Sequence, residues 1–201
     1  MRQITYYKFD ELSPEAQEKA IESYRKDDLN YDWWDGVYEM VERAANLIGI
    51  ELDQKSVSTR HDPVIYFSGF YHQGSGSCFS GSYSYAKSSV KSIKTEFPED
   101  KTLHSIAEQL QKIQALNFYK LEATIKGCER YYSVDVEVYH ADDQYRDIGV
   151  NETYISEALK DFNHWIYSSL QNEYEYLTSD EQVKESILAN EVEFTEDGDL
   201  V

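Results

Sequence analysis

Basic residues are few for the acidic ones they face in this chain: 19 Lys and Arg stand against 38 Asp and Glu, a formal net charge of −19. That deficit argues against direct binding to nucleic acid, which needs cations to displace phosphate counterions, and against attraction to anionic membrane surfaces. It favours a basic protein partner. No apolar run approaches the roughly 20 residues that a bilayer-spanning helix needs. The opening MRQITYYKFDEL lacks the apolar core of a signal peptide, so a soluble, cytoplasmic protein is expected. Two cysteines, Cys78 and Cys128, stand far apart and in no CxxC or Cys–His spacing. Reduced thiols are expected, with a single disulfide between them the alternative. No HExxH helix and no twelve-residue calcium loop is present, so no metal and no cofactor is expected.

A local absence is more informative. Residues 64–86 (VIYFSGFYHQGSGSCFSGSYSYA) hold no Asp, Glu, Lys or Arg, in a chain that is 28% charged. They hold four of the nine glycines, Gly69, Gly74, Gly76 and Gly81, and a cluster of aromatics. Two strands, 64–67 and 79–85, are predicted to face each other across the glycine-rich loop.

The rest of the chain alternates helical and hairpin signals. A strand is predicted over 3–9. Ser13-Pro14 is a helix start, with Ala16, Ala20, Ile21 and Tyr24 at helical spacing to about residue 27. A second helix should begin near Asn30 or Asp32, carry Trp34, Val37, Tyr38, Val41, Ala45 and Ile48 on one face, and stop at Gly49. Residues 50–60 read as a strand and 61–63 as a turn, followed by a short helix over 86–94. Asp100 or Thr102 opens a helix with Leu103, Ile106, Ala107, Leu110 and Ile113 on one face. Leu121, Ala123 and Ile125, then Tyr132, Val134, Val136 and Val138, alternate with polar residues as a hairpin of half-buried strands. A long helix is predicted from about 151 to 176, with the stripe Ile155, Leu159, Phe162, Ile166, Leu170, Tyr174 and Leu177. Ser179 caps a short helix, and Val192 and Phe194 mark a last strand. The pattern is α+β: a mainly antiparallel sheet of hairpins covered by helices on one face, with residues 1–201 as a single domain.

Several signatures coincide: Phe9-Asp10-Glu11-Leu12-Ser13, Tyr31-Asp32-Trp33, Phe67-Ser68-Gly69-Phe70 with Gln73-Gly74 and Gly76, Cys78-Phe79, Asn117-Phe118-Tyr119, the run from Tyr176 to Glu181, Ala189-Asn190-Glu191, and the run from Phe194 to Gly198. Together they resemble a group of small acidic proteins of phages, prophages and bacteria, some carrying the label antitoxin of a toxin–antitoxin stability system. The resemblance implies a protein at work in the cytoplasm of a bacterial host. It also implies that the partner is a host-defence, nuclease or toxin component. Relatives often have an acidic residue where this chain has Ser75, which argues against a carboxylate metal site in the loop.

Candidate chemistry is thin. A phosphate cradle at Gly74-Ser75-Gly76 would normally open onto a helix and recruit a cation, whereas here a strand follows and the next base is Lys87. His72 and Cys78 flank the loop without a nucleophile motif, so no catalytic residue is assigned. The favoured reading is a non-catalytic acidic protein that binds and inhibits a basic, nucleic-acid-acting partner, as an anti-defence inhibitor or antitoxin-like neutraliser. DNA mimicry is one route. A domain of this length spans about 40 Å, and duplex DNA of that length carries roughly 24 charges. Candidate partner-binding residues are Asp27, Asp28, Trp33, Asp142, Asp143, Glu173, Glu191 and Glu193. A second reading, an enzyme or small-ligand binder, uses the loop residues Ser68, His72, Gln73, Gly74, Ser75 and Gly76. A third is a self-associating structural protein.

Overall fold

Ser13 and Pro14 start a helix as their chemistry predicts. The Ser13 Oγ accepts a hydrogen bond from the Ala16 N–H at 3.2 Å, and Pro14 occupies the first turn, where a missing N–H is harmless. In the computed structural model, which describes residues 5–27, 29–57 and 60–201, the chain runs β1 (Tyr7–Lys8), a 3-10 turn (Phe9–Glu11), α1 (Pro14–Asp27), α2 (Asp35–Ile48), β2 (Ile50–Leu52), β3 (Gln54–Val57), β4 (Arg60–Pro63), β5 (Ile65–Phe67), β6 (Ser77–Phe79), β7 (Gly81–Tyr83), α3 (Ser89–Glu96), α4 (Lys101–Leu116), β8 (Leu121–Cys128), β9 (Ser133–His140), α5 (Val150–Leu177), α6 (Asp180–Ala189) and β10 (Glu193–Phe194). The architecture is α+β with antiparallel strand pairs. The chain forms two compact units, residues 1–35 with 171–201 (unit 1) and residues 36–170 (unit 2). α5 contributes to both.

Unit 2 is built on a four-stranded antiparallel sheet in the order β2-β7-β8-β9. The predicted alternation is present. Leu121, Ala123, Ile125, Val134, Val136 and Val138 are buried, while Ser133, Asp135 and Glu137 are exposed. All five stripe residues of α4, Leu103, Ile106, Ala107, Leu110 and Ile113, are buried, as are Ile155, Leu159, Phe162, Ile166 and Leu170 of α5. Burying each large side chain contributes about 1.5–3 kcal/mol. The helices are fixed to the strands by specific contacts. The Phe79 and Phe162 rings meet edge-on at 5.7 Å, and the Tyr38 hydroxyl donates to the Ile65 carbonyl at 3.2 Å. Asp100 caps α4 by accepting from the Leu103 N–H at 2.9 Å, and its second oxygen accepts from Trp165 Nε1 at 2.7 Å.

Unit 1 has its own core of Phe9, Leu12, Ala16, Ala20, Val183, Ile187 and Phe194. The short pair β1–β10, with Tyr7 opposite Phe194 and Lys8 opposite Glu193, ties its two chain segments together. Ser179 caps α6, its Oγ accepting from the Gln182 N–H at 3.3 Å.

Four sequence expectations are corrected. The strand expected over 3–9 is confined, among the described residues, to Tyr7–Lys8, because its only partner is the two-residue β10. Trp33 and Trp34 lie in a turn before α2 rather than on it. Residues 61–63 are not a turn but belong to β4, which pairs with β3 so that Gln54 faces Pro63. Pro63, which has no N–H to donate, is tolerated there at the end of a two-stranded ribbon. The strand expected over 79–85 is two strands separated at Ser80, β6 pairing with β5 and β7 with β2 and β8.

Candidate functional site: a self-contained loop and an acidic unit

The glycine-rich loop connects β5 to β6, with Phe67 opposite Ser77. Several of its polar groups bond one another. The Ser68 N–H donates to the Gly76 carbonyl at 3.0 Å, and the Gly76 N–H donates to Ser68 Oγ at 2.9 Å. The Ser75 N–H donates to the His72 carbonyl and the His72 N–H to Ser75 Oγ, each at 3.1 Å. The Ser75 and Gly76 N–H groups that an anion cradle would use are therefore already bonded. Below the tip, Phe70 is buried against Phe67 and Tyr167 at 6.1 and 5.4 Å. Ser77 and Asn163 exchange hydrogen bonds, Asn163 Nδ2 reaching the Ser77 carbonyl at 2.8 Å. Gly76 is needed for packing, since a Cβ there would lie 3.0 Å from the Tyr132 carbonyl. Gly74, at φ +88, supplies the left-handed turn, and His72 and Gln73 are exposed at the tip.

Cys78 follows on β6 and is fully buried, with its thiol pushed up to about 11 by burial first and by Glu129 and Cys128 second. It is protonated at neutral pH, the wrong state for a nucleophile. Its Sγ faces Gly127, 3.3 Å from where a Cβ would stand. Strand alternation turns the next residue, Cys128, to the other face, opposite exposed Ser133. Both thiols are free. A thiol reagent at mild pH is expected to modify one cysteine per folded chain, Cys128, and the second only after denaturation. Mass mapping of the adduct to residue 78 under native conditions would contradict this placement.

The sequence-predicted acidic candidates fall in two settings. Asp142 and Asp143 belong to a turn in unit 2, where a cation balances the first and a backbone N–H bonds the second. Asp142 is paired with Lys120, whose hydrogen bond holds that carboxyl below the usual range, with smaller contributions from His140 and Arg146. Asp143 accepts from the Tyr145 N–H at 3.1 Å, a local turn. Asp27, Trp33, Glu173, Glu191 and Glu193 all belong to unit 1, and Asp28 lies outside the described residues. Asp27 closes α1. Trp33 is half-buried, its ring 5.7 Å from Trp34 and 5.8 Å from Tyr174. Tyr174 reads in the sequence as a core-stripe residue, yet it is half-buried and shares this aromatic cluster, beside Glu173 and Glu175 in the chain.

The division into units reveals how uneven the charge is. Unit 1 holds 19 of the 38 acidic residues and 6 of the 19 basic ones, a net charge of −13. Unit 2, about twice as long, holds the other 19 acidic and 13 basic residues, a net charge of −6. Lys8, Lys19, Arg25 and Lys184 are engaged within unit 1. Lys19 pairs with Asp199 at 2.8 Å, Arg25 with Asp180, and Lys8 with Glu193 at 3.4 Å, while Lys184 lies over the Phe9 ring at 5.5 Å. Glu15, Glu18 and Glu22 stand exposed along one stripe of α1 at spacings of three and four. Glu18 and Glu22 line an open cavity of about 300 Å3 with Ile21, Arg25 and Asp180. Among the described residues no cluster suits a metal ion, and no helix is long and apolar enough to cross a membrane.

The fold and the charge define an acidic α+β protein with 13 of its 19 surplus negative charges on one of two units. The chain belongs to the family described as Domain of unknown function (DUF8835), which it matches over residues 33–180. The match takes in unit 2 whole and leaves residues 1–32 and 181–201, most of the acidic unit, outside it. No curated protein and no solved structure matches the chain.

Proposed function

We propose that this chain is a non-catalytic acidic protein that binds a basic, nucleic-acid-acting protein through unit 1 and inhibits it by occupying a surface otherwise given to phosphates. The observation that carries this reading is the net charge of −13 on unit 1, with Lys8, Lys19 and Arg25 already paired to carboxylates inside it. A patch of one sign steers an oppositely charged partner and raises its association rate. The half-buried Trp33 and Tyr174, with exposed Tyr31 and Tyr176 in the same unit, supply the residue types that dominate binding energy at interfaces. The resemblance to acidic phage and bacterial proteins makes a defence nuclease or toxin the partner class, and the bacterial cytoplasm the setting.

The immobilised chain is expected to retain basic, nucleic-acid-acting proteins from bacterial lysate at low salt and release them at high salt. Over that change the screening length shrinks from roughly 30 Å at 0.01 M to roughly 3 Å at 1 M. The purified partner's activity on nucleic acid should fall on titration with the wild-type chain. It should fall much less with E15Q/E18Q/E22Q, which removes three charges from an exposed face. Retention of no basic protein at low salt would sink the proposal.

A further inference from the structure

Leu188 is exposed, 42% accessible, near the end of α6. It forms one wall of a groove of about 260 Å3 in unit 1 whose apolar lining includes the buried Phe9 and Ile187 and the half-buried Val192. Asp10 and Glu191 are its exposed carboxylates, and Lys8 completes the lining. The volume falls below the range of about 300–1,000 Å3 typical of small-molecule sites. It suits one or two apolar side chains.

The cations beside the groove are engaged by the protein. Lys8 Nζ donates to the Glu191 carbonyl at 2.5 Å and lies 3.4 Å from Glu193 Oε1. Lys184 Nζ lies over the Phe9 ring. Glu191 adopts φ +50, a left-handed conformation that non-glycine residues rarely take. The charges lining the groove, Lys8 against Asp10 and Glu191, sum to −1 within a unit of −13. A second copy of this chain would bring like charge to that surface, and so would an anionic membrane.

We propose that the groove between the β1 segment and the end of α6 receives an apolar side chain of the basic partner, flanked on that partner by lysines or arginines. This rests on the function proposed above and adds the recognition chemistry: charge brings the partner in, and an apolar anchor seated against Phe9, Ile187 and Leu188 decides which basic protein stays.

Three labelled peptides test it by fluorescence anisotropy against the full chain at low salt: a short lysine-rich peptide with one central leucine, the same peptide with alanine for the leucine, and the leucine peptide with glutamate for every lysine. The leucine–lysine peptide is expected to bind about tenfold more tightly than the alanine–lysine one, the effect of burying one such side chain. That advantage should vanish in Leu188→Ser and persist in Leu188→Met, and the glutamate peptide should not bind. Leu188 is exposed enough for both variants to fold, which circular dichroism would verify. Equal binding of the two lysine peptides, or an advantage that survives Leu188→Ser, overturns the groove while leaving the acidic-surface reading intact. Failure of both lysine peptides to bind overturns both.

Discussion

Replacing Gln114 with leucine is expected to lower the stability of the protein by about 3 kcal/mol, a fall in Tm of about 6–12 °C for a chain of this size. Gln114 is the fully buried polar side chain of α4. Its Nε2 donates to the Leu121 carbonyl at 2.6 Å and lies 3.3 Å from the Tyr83 hydroxyl, and its Oε1 accepts from the Leu121 N–H at 3.1 Å. β7 ends at Tyr83, opposite Ala123, and does not reach Leu121. The glutamine stands in for the missing strand residue and satisfies both backbone groups of Leu121. Leucine keeps the volume and removes every partner, leaving a buried donor and acceptor unpaired at about 1–3 kcal/mol each. The Tyr83 phenol, already pushed up to about 12 chiefly by burial, loses its neighbour as well. Gln111→Leu, at an exposed position one turn away, should change stability by no more than about 0.5 kcal/mol. Equal melting temperatures for the two variants would contradict the assigned role.

Gly81→Ala is the second substitution with a large expected effect. Gly81 is buried in β7 between Leu52 of β2 and Ile125 of β8. A Cβ there would stand 2.2 Å from the Glu51 carbonyl oxygen and 3.1 Å from the Leu52 Cα. Both are backbone atoms in a paired strand, so relief requires β2 to move away from β7. Overpacking of this kind costs about 1–3 kcal/mol, and the upper end is expected because no flexible side chain can yield. Gly36→Ala serves as the contrast. It lies in the first turn of α2 with nothing within 4 Å of its added Cβ, and should be neutral or stabilising by up to about 1 kcal/mol. Urea unfolding of the three proteins would separate these outcomes.

The uncharged segment 64–86 shows what a sequence can and cannot disclose. Its neutrality and glycines mark it as special, and the strand–loop–strand reading was correct in kind. The function of each glycine was not legible. Gly76 is set by Tyr132 and Gly81 by Glu51, residues remote in sequence or on another strand, so only the assembled pairs reveal why a side chain is excluded. The same holds for Gln114, whose partner strand residue is defined by where β7 stops. Asp142 and Asp143 read as an acidic cluster, yet Lys120, just before β8, neutralises one and the Tyr145 N–H bonds the other. Leu188 reads in the sequence as part of the apolar face of the short helix with Val183 and Ile187, yet only those two are buried.

The sequence by itself determined the elements that rest on local chemistry. The capped starts of α1, α4 and α6, the alternation in β8 and β9, the apolar stripes of α4 and α5, and the size and sign of the net charge all follow from side-chain spacing and composition. Tertiary structure alone decided where that charge resides. Acidic residues from both ends of the chain converge in unit 1, while the basic residues of the middle remain in unit 2. The reason is that a stripe or a cap is a property of neighbours within a few residues, whereas a surface potential is a sum over residues brought together by packing. Here β1 pairs with β10, and α1 packs on α6.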